Sequence, residues 1–467
     1  MAMTDTDLVV IGGGPGGYSA AFLAADKGIS VTLVSDESQL GGVCLQRGCI
    51  PSKALLHLAK LISETREAKA WGLDFGEPQI DLDRLRNWKN DVVRKMTGGL
   101  AQLCKQRGIH LVTGRARFKS SDTISVDATT SLKFKHAIIA VGSVPAIPGD
   151  FASTSPNIMD STRALDVESI PGRLLVVGGG YIGLEMGTVY AALGSQVAVV
   201  EMTDGLLPGV DRDLVRILQV NLKKKFESIS LSTRLKSFKD TSQGVQVVLE
   251  NEGGTTERIF DKVLISVGRK PNTQGLGLAT TRVGLDGQGF IHVDQQLRTS
   301  DPGIFAIGDA VGGAMLAHKA SHEGKVAVQV ISGDSVEFGQ RTLPAVVFTD
   351  PEIAWCGLTE TEAKAQGLEI TVAKFPWGAS GRATTLARND GLTKLIVDPK
   401  SQRILGMGLV GSGAGELVAE GVLAIEAGLP VHDLAKAIHP HPTLSETVME
   451  AAEVFAGTPT HIYKKPR

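Results

Sequence analysis

The stretch Leu8-Val9-Val10-Ile11-Gly12-Gly13-Gly14-Pro15-Gly16-Gly17 decides how this chain is read. Four consecutive apolar residues predict a buried strand, and Gly12, Gly14 and Gly17 carry the G-x-G-x-x-G spacing of a nucleotide-binding turn. A small-residue helix pattern follows over 19–27, then a second strand over 30–34. Each glycine has a physical task. The first permits the tight turn, the second lets the backbone approach a pyrophosphate, and the third lets the helix close on the strand. The helix N-terminus adds unpaired N–H groups and a partial positive charge.

One such match is a weak signal, but this one is repeated. Leu174-Leu175-Val176-Val177 leads into Gly178-Gly179-Gly180-Tyr181-Ile182-Gly183, a helix pattern ending near Gly194, and a strand over 196–200. A smaller repeat supports it: Ala137-Ile138-Ile139-Ala140-Val141-Gly142 is echoed by Val263-Leu264-Ile265-Ser266-Val267-Gly268, and each precedes a proline, Pro145 and Pro271. Two strand–turn–helix–strand nucleotide domains would produce both repeats. The first domain is expected to resume at Gly303-Ile304-Phe305-Ala306-Ile307-Gly308-Asp309. From about Arg341 the texture changes to strand patterns over 371–375, 394–397 and 404–410, then helix patterns over 416–427, 431–438 and 443–455. That predicts a separate α+β domain.

The residue after each second strand bears on the ribose. Glu201 lies 23 residues after Gly178, where a carboxylate accepts from both ribose hydroxyls and repels a 2′-phosphate, so NAD is favoured over NADP. The same offset in the first unit gives Ser35, with Asp36 next; either can bond a ribose.

The 467 residues have room for about three domains. Apolar residues at 42% and charged residues at 21% give the balance of a globular protein, and a net charge of −2 offers no field for nucleic acid. The first residues show no basic or apolar leader pattern, and no apolar run approaches a membrane span. Four cysteines are too few for a disulfide framework, yet Cys44 and Cys49 lie close together, which favours a redox pair. They sit in Gly41-Gly42-Val43-Cys44-Leu45-Gln46-Arg47-Gly48-Cys49-Ile50-Pro51-Ser52-Lys53. Pro51 suits the first turn of a helix whose apolar face is Leu55, Leu58, Ala59 and Ile62. A thiol at that helix start, with Lys53 near, should have a stabilised thiolate. No further cysteine or histidine pair sits nearby, so no metal is expected.

This motif after an N-terminal nucleotide fingerprint is similar to the disulfide oxidoreductase flavoproteins, most closely the dihydrolipoamide dehydrogenase family, over essentially the whole chain. The resemblance implies two Rossmann-like nucleotide-binding domains, for FAD and NAD, plus a C-terminal α+β dimerisation domain. Residues 1–145 and 273–340 would form the FAD domain, 146–272 the NAD domain and 341–467 the interface domain. It implies that Cys49 faces the flavin and that Cys44 exchanges with substrate. Lys53 would lie beside the flavin, paired with Glu185. Asp309 would hold the ribitol, and Met315-Leu316-Ala317-His318 would cover the flavin pyrimidine. Gly42, Ala116, Gly142 and Ser143 would complete the FAD site, and Gly268 the NAD site with Gly178, Gly180, Tyr181, Ile182, Gly183 and Glu201.

In His439-Pro440-His441-Pro442-Thr443-Leu444-Ser445-Glu446 the resemblance makes His441 the base and Glu446 its partner, completing the active site of the other subunit. A dithiol must lose a proton before it attacks a disulfide, and histidine suits that near neutral pH. His439, His318 and His322 are read as structural, and Cys104 and Cys356 as plain thiols. The implied protein is a cytoplasmic homodimer serving the lipoyl domain of an acyltransferase or a glycine cleavage H protein, with neither nucleic acid nor membrane as partner. Another disulfide reductase of the family, or a non-enzymatic flavoprotein subunit, is the competing reading. The chain ends without the extra redox cysteines of mercuric or larger thioredoxin reductases, and Glu201 argues against an NADPH-using reductase. Three positions depart from the family pattern: Ser35 for a glutamate, Val141 for a threonine, and Arg47 for a small or apolar residue between the cysteines.

Overall fold

The computed structural model describes residues 3–127, 130–339 and 342–463. The expected boundary at 340/341, the first two residues and the final four lie outside the described residues.

Strand β1 (Met3–Ile11) is central in the first sheet, between β2 (Val31–Ser35) and the strand Thr130–Ile139, both parallel to it. Leu8, Val9 and Val10 are fully buried because layers cover both faces, as a continuous apolar run requires in a parallel sheet. Ile304–Ala306 adds to Thr130–Ile139 from 165 residues downstream, so the first nucleotide unit does resume late in the chain. Helix α1 (Pro15–Asp26) buries Gly16, Gly17, Ala20, Ala21 and Ala24. Small residues let it lie very close to the helix Ala317–Ile331: a Cβ on Gly324 would come within 2.6 Å of the Gly16 carbonyl oxygen. This contact fixes the Gly308–Asp309 turn beside the first glycine fingerprint.

The second unit repeats the plan. Its parallel sheet runs Ser228–Ser230, Gln196–Val200, Arg173–Val177, Lys262–Ile265, Ile158–Met159, with the helix Tyr181–Leu193 following the second glycine turn. A three-stranded antiparallel sheet, Arg234–Thr241, Gly244–Asn251 and Gly254–Phe260, packs on it. The two units are joined by a short antiparallel ribbon in which Ser143–Pro145 pairs with Arg269–Pro271. Each ribbon strand follows one of the apolar runs recognised as the smaller repeat.

The C-terminal part is an antiparallel five-stranded sheet ordered Ala345–Val347, Glu352–Gly357, Ile404–Gly411, Leu392–Val397, Thr371–Pro376. The helices Ala414–Glu426, Val431–Lys436 and Glu446–Ala456 accompany it. The architecture is therefore two Rossmann-like units and an α+β domain. No helix of the described residues is long and apolar enough to cross a membrane. Asp211, Asp213 and Glu360 form an acidic cluster, and it holds Lys394, whose Nζ lies 2.6, 2.8 and 2.7 Å from their carboxylates.

Candidate active site

Helix α2 (Gly42–Arg47) carries Cys44, and Cys49 is the first residue of helix α3 (Cys49–Glu67). Gly48 between them lies so close to the Val43 carbonyl oxygen that a Cβ would approach it to 2.7 Å, so the chain turns sharply there. The break brings the two thiols together, where each shifts the other's ionisation. The two sulfurs are not bonded to each other in this structure. Their chemistry is unequal. The neighbouring Cys49 and burial push the Cys44 thiol up. Cys49 goes the other way: the neighbouring Cys44 thiol, opposed by burial and helped by Lys53, brings its pKa down to about 7. Position supports the same order, since Cys49 heads a 19-residue helix whose N-terminal field favours an anion.

One turn along α3, Lys53 Nζ lies 2.8 Å from Glu185 Oε2 and 3.1 Å from Oε1. Glu185 is buried on the helix that follows the second fingerprint. The Phe348 N–H, from the C-terminal domain, donates to Glu185 Oε1 at 3.0 Å, and the Phe348 ring sits 4.5 Å from Lys53 Nζ. All three parts of the chain thus meet at one ion pair beside the thiols.

A single cavity joins these groups to the first fingerprint. It is lined by Gly12, Gly14, Ser35, Asp36 and Gly42, and also by Cys44, Cys49, Lys53, Tyr181, Ile182 and Glu185. Ala116, Gly142, Ser143, Asp309, Met315 and Ala317 also line it. Its shape and chemistry suit FAD. Gly14 caps α1 with extended backbone and no side-chain bond, leaving the first-turn N–H groups for phosphates. A Cβ on Gly42 would lie 2.8 Å from the Gly14 Cα, so only glycine keeps that approach open. Gly17 does not line the cavity; a side chain there would strike the Gly12 carbonyl, and Gly183 stands in the same relation to Gly178. Leu316, His318, Gly178, Gly180 and Gly268 are likewise not among the lining residues.

Asp309 accepts from the Ser143 hydroxyl, and Arg269 holds Ser143 through Oγ and the carbonyl oxygen, each at 2.7 Å. Beneath that turn, buried Glu323 accepts from the Gly308 N–H at 2.6 Å and pairs with buried Lys319 at 2.6 Å. Burial pushes the Glu323 carboxyl up, against the pull of Lys319. Glu323→Ala strands a buried ammonium, so it is expected to destabilise the protein by about 3–5 kcal/mol. Chemical denaturation reads this directly; an unchanged midpoint would contradict the role given to the pair.

At the second fingerprint, Gly180 caps its helix without a side-chain bond, as Gly14 does. Glu201 is buried, and its carboxylate accepts from the Gly179 N–H at 2.7 Å and the Thr203 N–H at 2.8 Å. It is therefore fixed at the glycine turn. Arg212 donates to the carbonyls of Leu206, Leu207 and Val210 and so is engaged away from any 2′-phosphate.

His441 and Glu446 form a dyad at 2.9 Å between Nδ1 and Oε1, and the Thr443 N–H donates to Glu446 Oε2 at 2.7 Å. Burial works against the Glu446 charge, but these bonds outweigh it and hold the carboxyl below its usual range. The His441 ring is 70% exposed, and neither dyad residue lines the cavity that holds the cysteines. One chain thus presents an oriented, exposed base outside the cavity that its own thiols line.

The other singled-out residues have ordinary partners. His439 bonds Glu420 at 2.8 Å and the Ala437 carbonyl at 2.9 Å. His318 bonds the Pro344 carbonyl at 2.8 Å, and His322 packs on Phe338. Cys104 and Cys356 are buried, which pushes their thiols up to about 11 and about 12. Sequence reasoning missed Arg269, Lys319, Glu323 and Phe348. Only Lys319 and Glu323 left a signal, an i,i+4 pair, and that spacing reads as a surface pair.

Residues 6–324 match the pyridine nucleotide-disulphide oxidoreductase family, and 343–452 match its dimerisation domain. Dihydrolipoyl dehydrogenase of Haemophilus influenzae is 48% identical over 461 residues, covering 98% of this chain and 96% of the relative. The Vibrio cholerae dihydrolipoyl dehydrogenase is 46% identical, covering 97% and 96%. Among solved structures, LpdA from Mycobacterium tuberculosis has a TM-score of 0.89 at 27% identity, covering 96% of this chain and 99% of that one. The HOCl-induced flavoprotein disulfide reductase RclA from Escherichia coli has a TM-score of 0.84 at 29% identity, covering 95% and 98%.

Proposed function

This chain belongs to the pyridine nucleotide-disulphide oxidoreductase family, and from that premise we propose that it is a dihydrolipoyl dehydrogenase: it oxidises dihydrolipoyl groups through a Cys44–Cys49 disulfide and FAD, and reduces NAD. The observation that carries the reading is the one cavity lined by the cysteine pair, the Lys53–Glu185 pair and the first glycine turn. When bound, FAD accepts the two electrons released at the cysteines and NAD carries them away as hydride.

The chain's own residues do the rest. His441 of the partner subunit takes a proton from one substrate thiol, with Glu446 orienting its ring. The substrate thiolate attacks Cys44 Sγ, and the Cys44–Cys49 bond breaks, leaving Cys49 as a thiolate. The second substrate thiol then attacks the mixed disulfide. The lipoyl disulfide closes, Cys44 leaves and takes up the second thiol's proton, and two electrons have passed to the cysteine pair. Cys49 suits the leaving role because Lys53 and the α3 N-terminus favour its anion.

The working unit is a homodimer, in keeping with the dimerisation domain. Its partner would be the lipoyl domain of an acyltransferase or a glycine cleavage H protein, in the cytoplasm. The exposed His441 is consistent with a base offered to the other chain's thiols.

Glu201 yields a prediction about nucleotide choice. NAD is expected to be preferred, and Glu201→Ala should narrow the gap in kcat/KM to NADP by about tenfold or more, through loss of ribose bonding and of phosphate repulsion. Equal use of the two nucleotides by the native enzyme would contradict it.

A further inference from the structure

The two nucleotide units match closely at their strand ends, and the difference falls on a carboxylate. In the second unit, Glu201 follows the strand Gln196–Val200, lies against Gly179, and accepts from the N–H of Thr203, two residues on. In the first unit Ser35 stands in that place. It lies against Gly13, and its Oγ accepts from the N–H of Glu37 at 3.2 Å, again two residues on. The hydroxyl thus performs the structural half of what Glu201 does, closing the strand end, but it brings no charge to a ribose.

The residue whose amide it holds is itself an acid. Glu37 lines the cavity beside Ser35, and its side chain is only 17% exposed. Its carboxylate pairs with the Arg47 guanidinium and accepts from Gln46 Nε2 at 2.5 Å. Both donors come from α2, the helix that carries Cys44. Arg47, unexpected between two redox cysteines, therefore has a partner that accounts for it. A carboxylate offers about four acceptor positions, so two donors leave room for ribose hydroxyls. Asp36, the other acid here, is exposed.

We propose that Glu37 is the carboxylate that binds the adenosine ribose of FAD in this chain, displaced two residues from the strand end, with Arg47 and Gln46 as its positioning residues. The proposal rests on the FAD reading above. Its test is titration of FAD-stripped protein with FAD, and with the FAD analogue carrying 2′-deoxyadenosine, followed by quenching of flavin fluorescence. Glu37→Gln is expected to weaken FAD binding roughly 10- to 100-fold and to abolish the preference for FAD over the deoxy analogue. Adding Ser35→Glu to Glu37→Gln should restore both, which separates a lost contact from a damaged fold. Arg47→Ala should reduce the same preference by less. Glu37→Gln protein that binds and discriminates as the native protein does would overturn the proposal, as would a loss of discrimination from Asp36→Asn instead. Native protein that takes up no FAD would overturn the FAD reading as well, so the two failures are distinct.

Discussion

Replacing His441 by glutamine is expected to lower dihydrolipoamide oxidation by about 10²–10⁴-fold, the usual contribution of a positioned general base. The deprotonation that starts thiol–disulfide exchange would be left to solvent. NADH should still reduce the bound flavin, because that half-reaction needs no base at the cysteine side. Glu446→Gln should weaken the same step less, since it loosens a ring that the 2.9 Å bond now orients. Stopped-flow measurement of the two half-reactions separates these effects, and equal loss in both would contradict the assignment. Because His441 does not line the cavity with its own chain's cysteines, complementation is also expected. Mixed dimers of His441→Gln and Cys44→Ser chains should regain activity at the one site that joins an intact disulfide to an intact histidine.

Cys44→Ser and Cys49→Ser are each expected to abolish turnover, since neither can form the disulfide, yet they should differ in colour. Cys44→Ser leaves Cys49 alone at the head of α3, with Lys53 close by. Bound to oxidised FAD, it should show a long-wavelength thiolate–flavin absorption band without reduction. The band should grow as rising pH forms the Cys49 thiolate and fade as falling pH protonates it, and the loss of the Cys44 thiol, the largest influence lowering the Cys49 pKa, should move that transition above the native one. Cys49→Ser should show no band at any pH. A band of equal strength in both variants would overturn the assignment of the two sulfurs.

Much of this was legible in the sequence because it lies in local runs. The apolar strands, the paired glycine turns and the Cys44–Cys49 spacing state their structure within a few residues, and the parallel sheets and the α2–α3 break follow from them. The Lys53–Glu185 pair, 132 residues apart, came from family resemblance, and the structure brings it to 2.8 Å. What stayed hidden depends on long-range packing. Phe348 reaches Glu185 only because the C-terminal sheet docks on the nucleotide units. Lys319 and Glu323 are buried where α1 packs on their helix, so a pair spaced like a surface ion pair instead holds the Gly308 turn that lines the cavity. The ribose end was read from strand offset alone, which pointed to Ser35 and Asp36. Glu37 emerged only when Arg47 and Gln46 were seen to fold back onto it.

The most direct test is steady-state turnover of the purified, FAD-loaded protein with dihydrolipoamide and NAD, beside NADP. NADH should form at a rate that depends on both Cys44 and His441, with little product from NADP. An FAD-loaded, folded protein that leaves dihydrolipoamide unoxidised, while turning over another disulfide substrate with NADPH, would contradict the account.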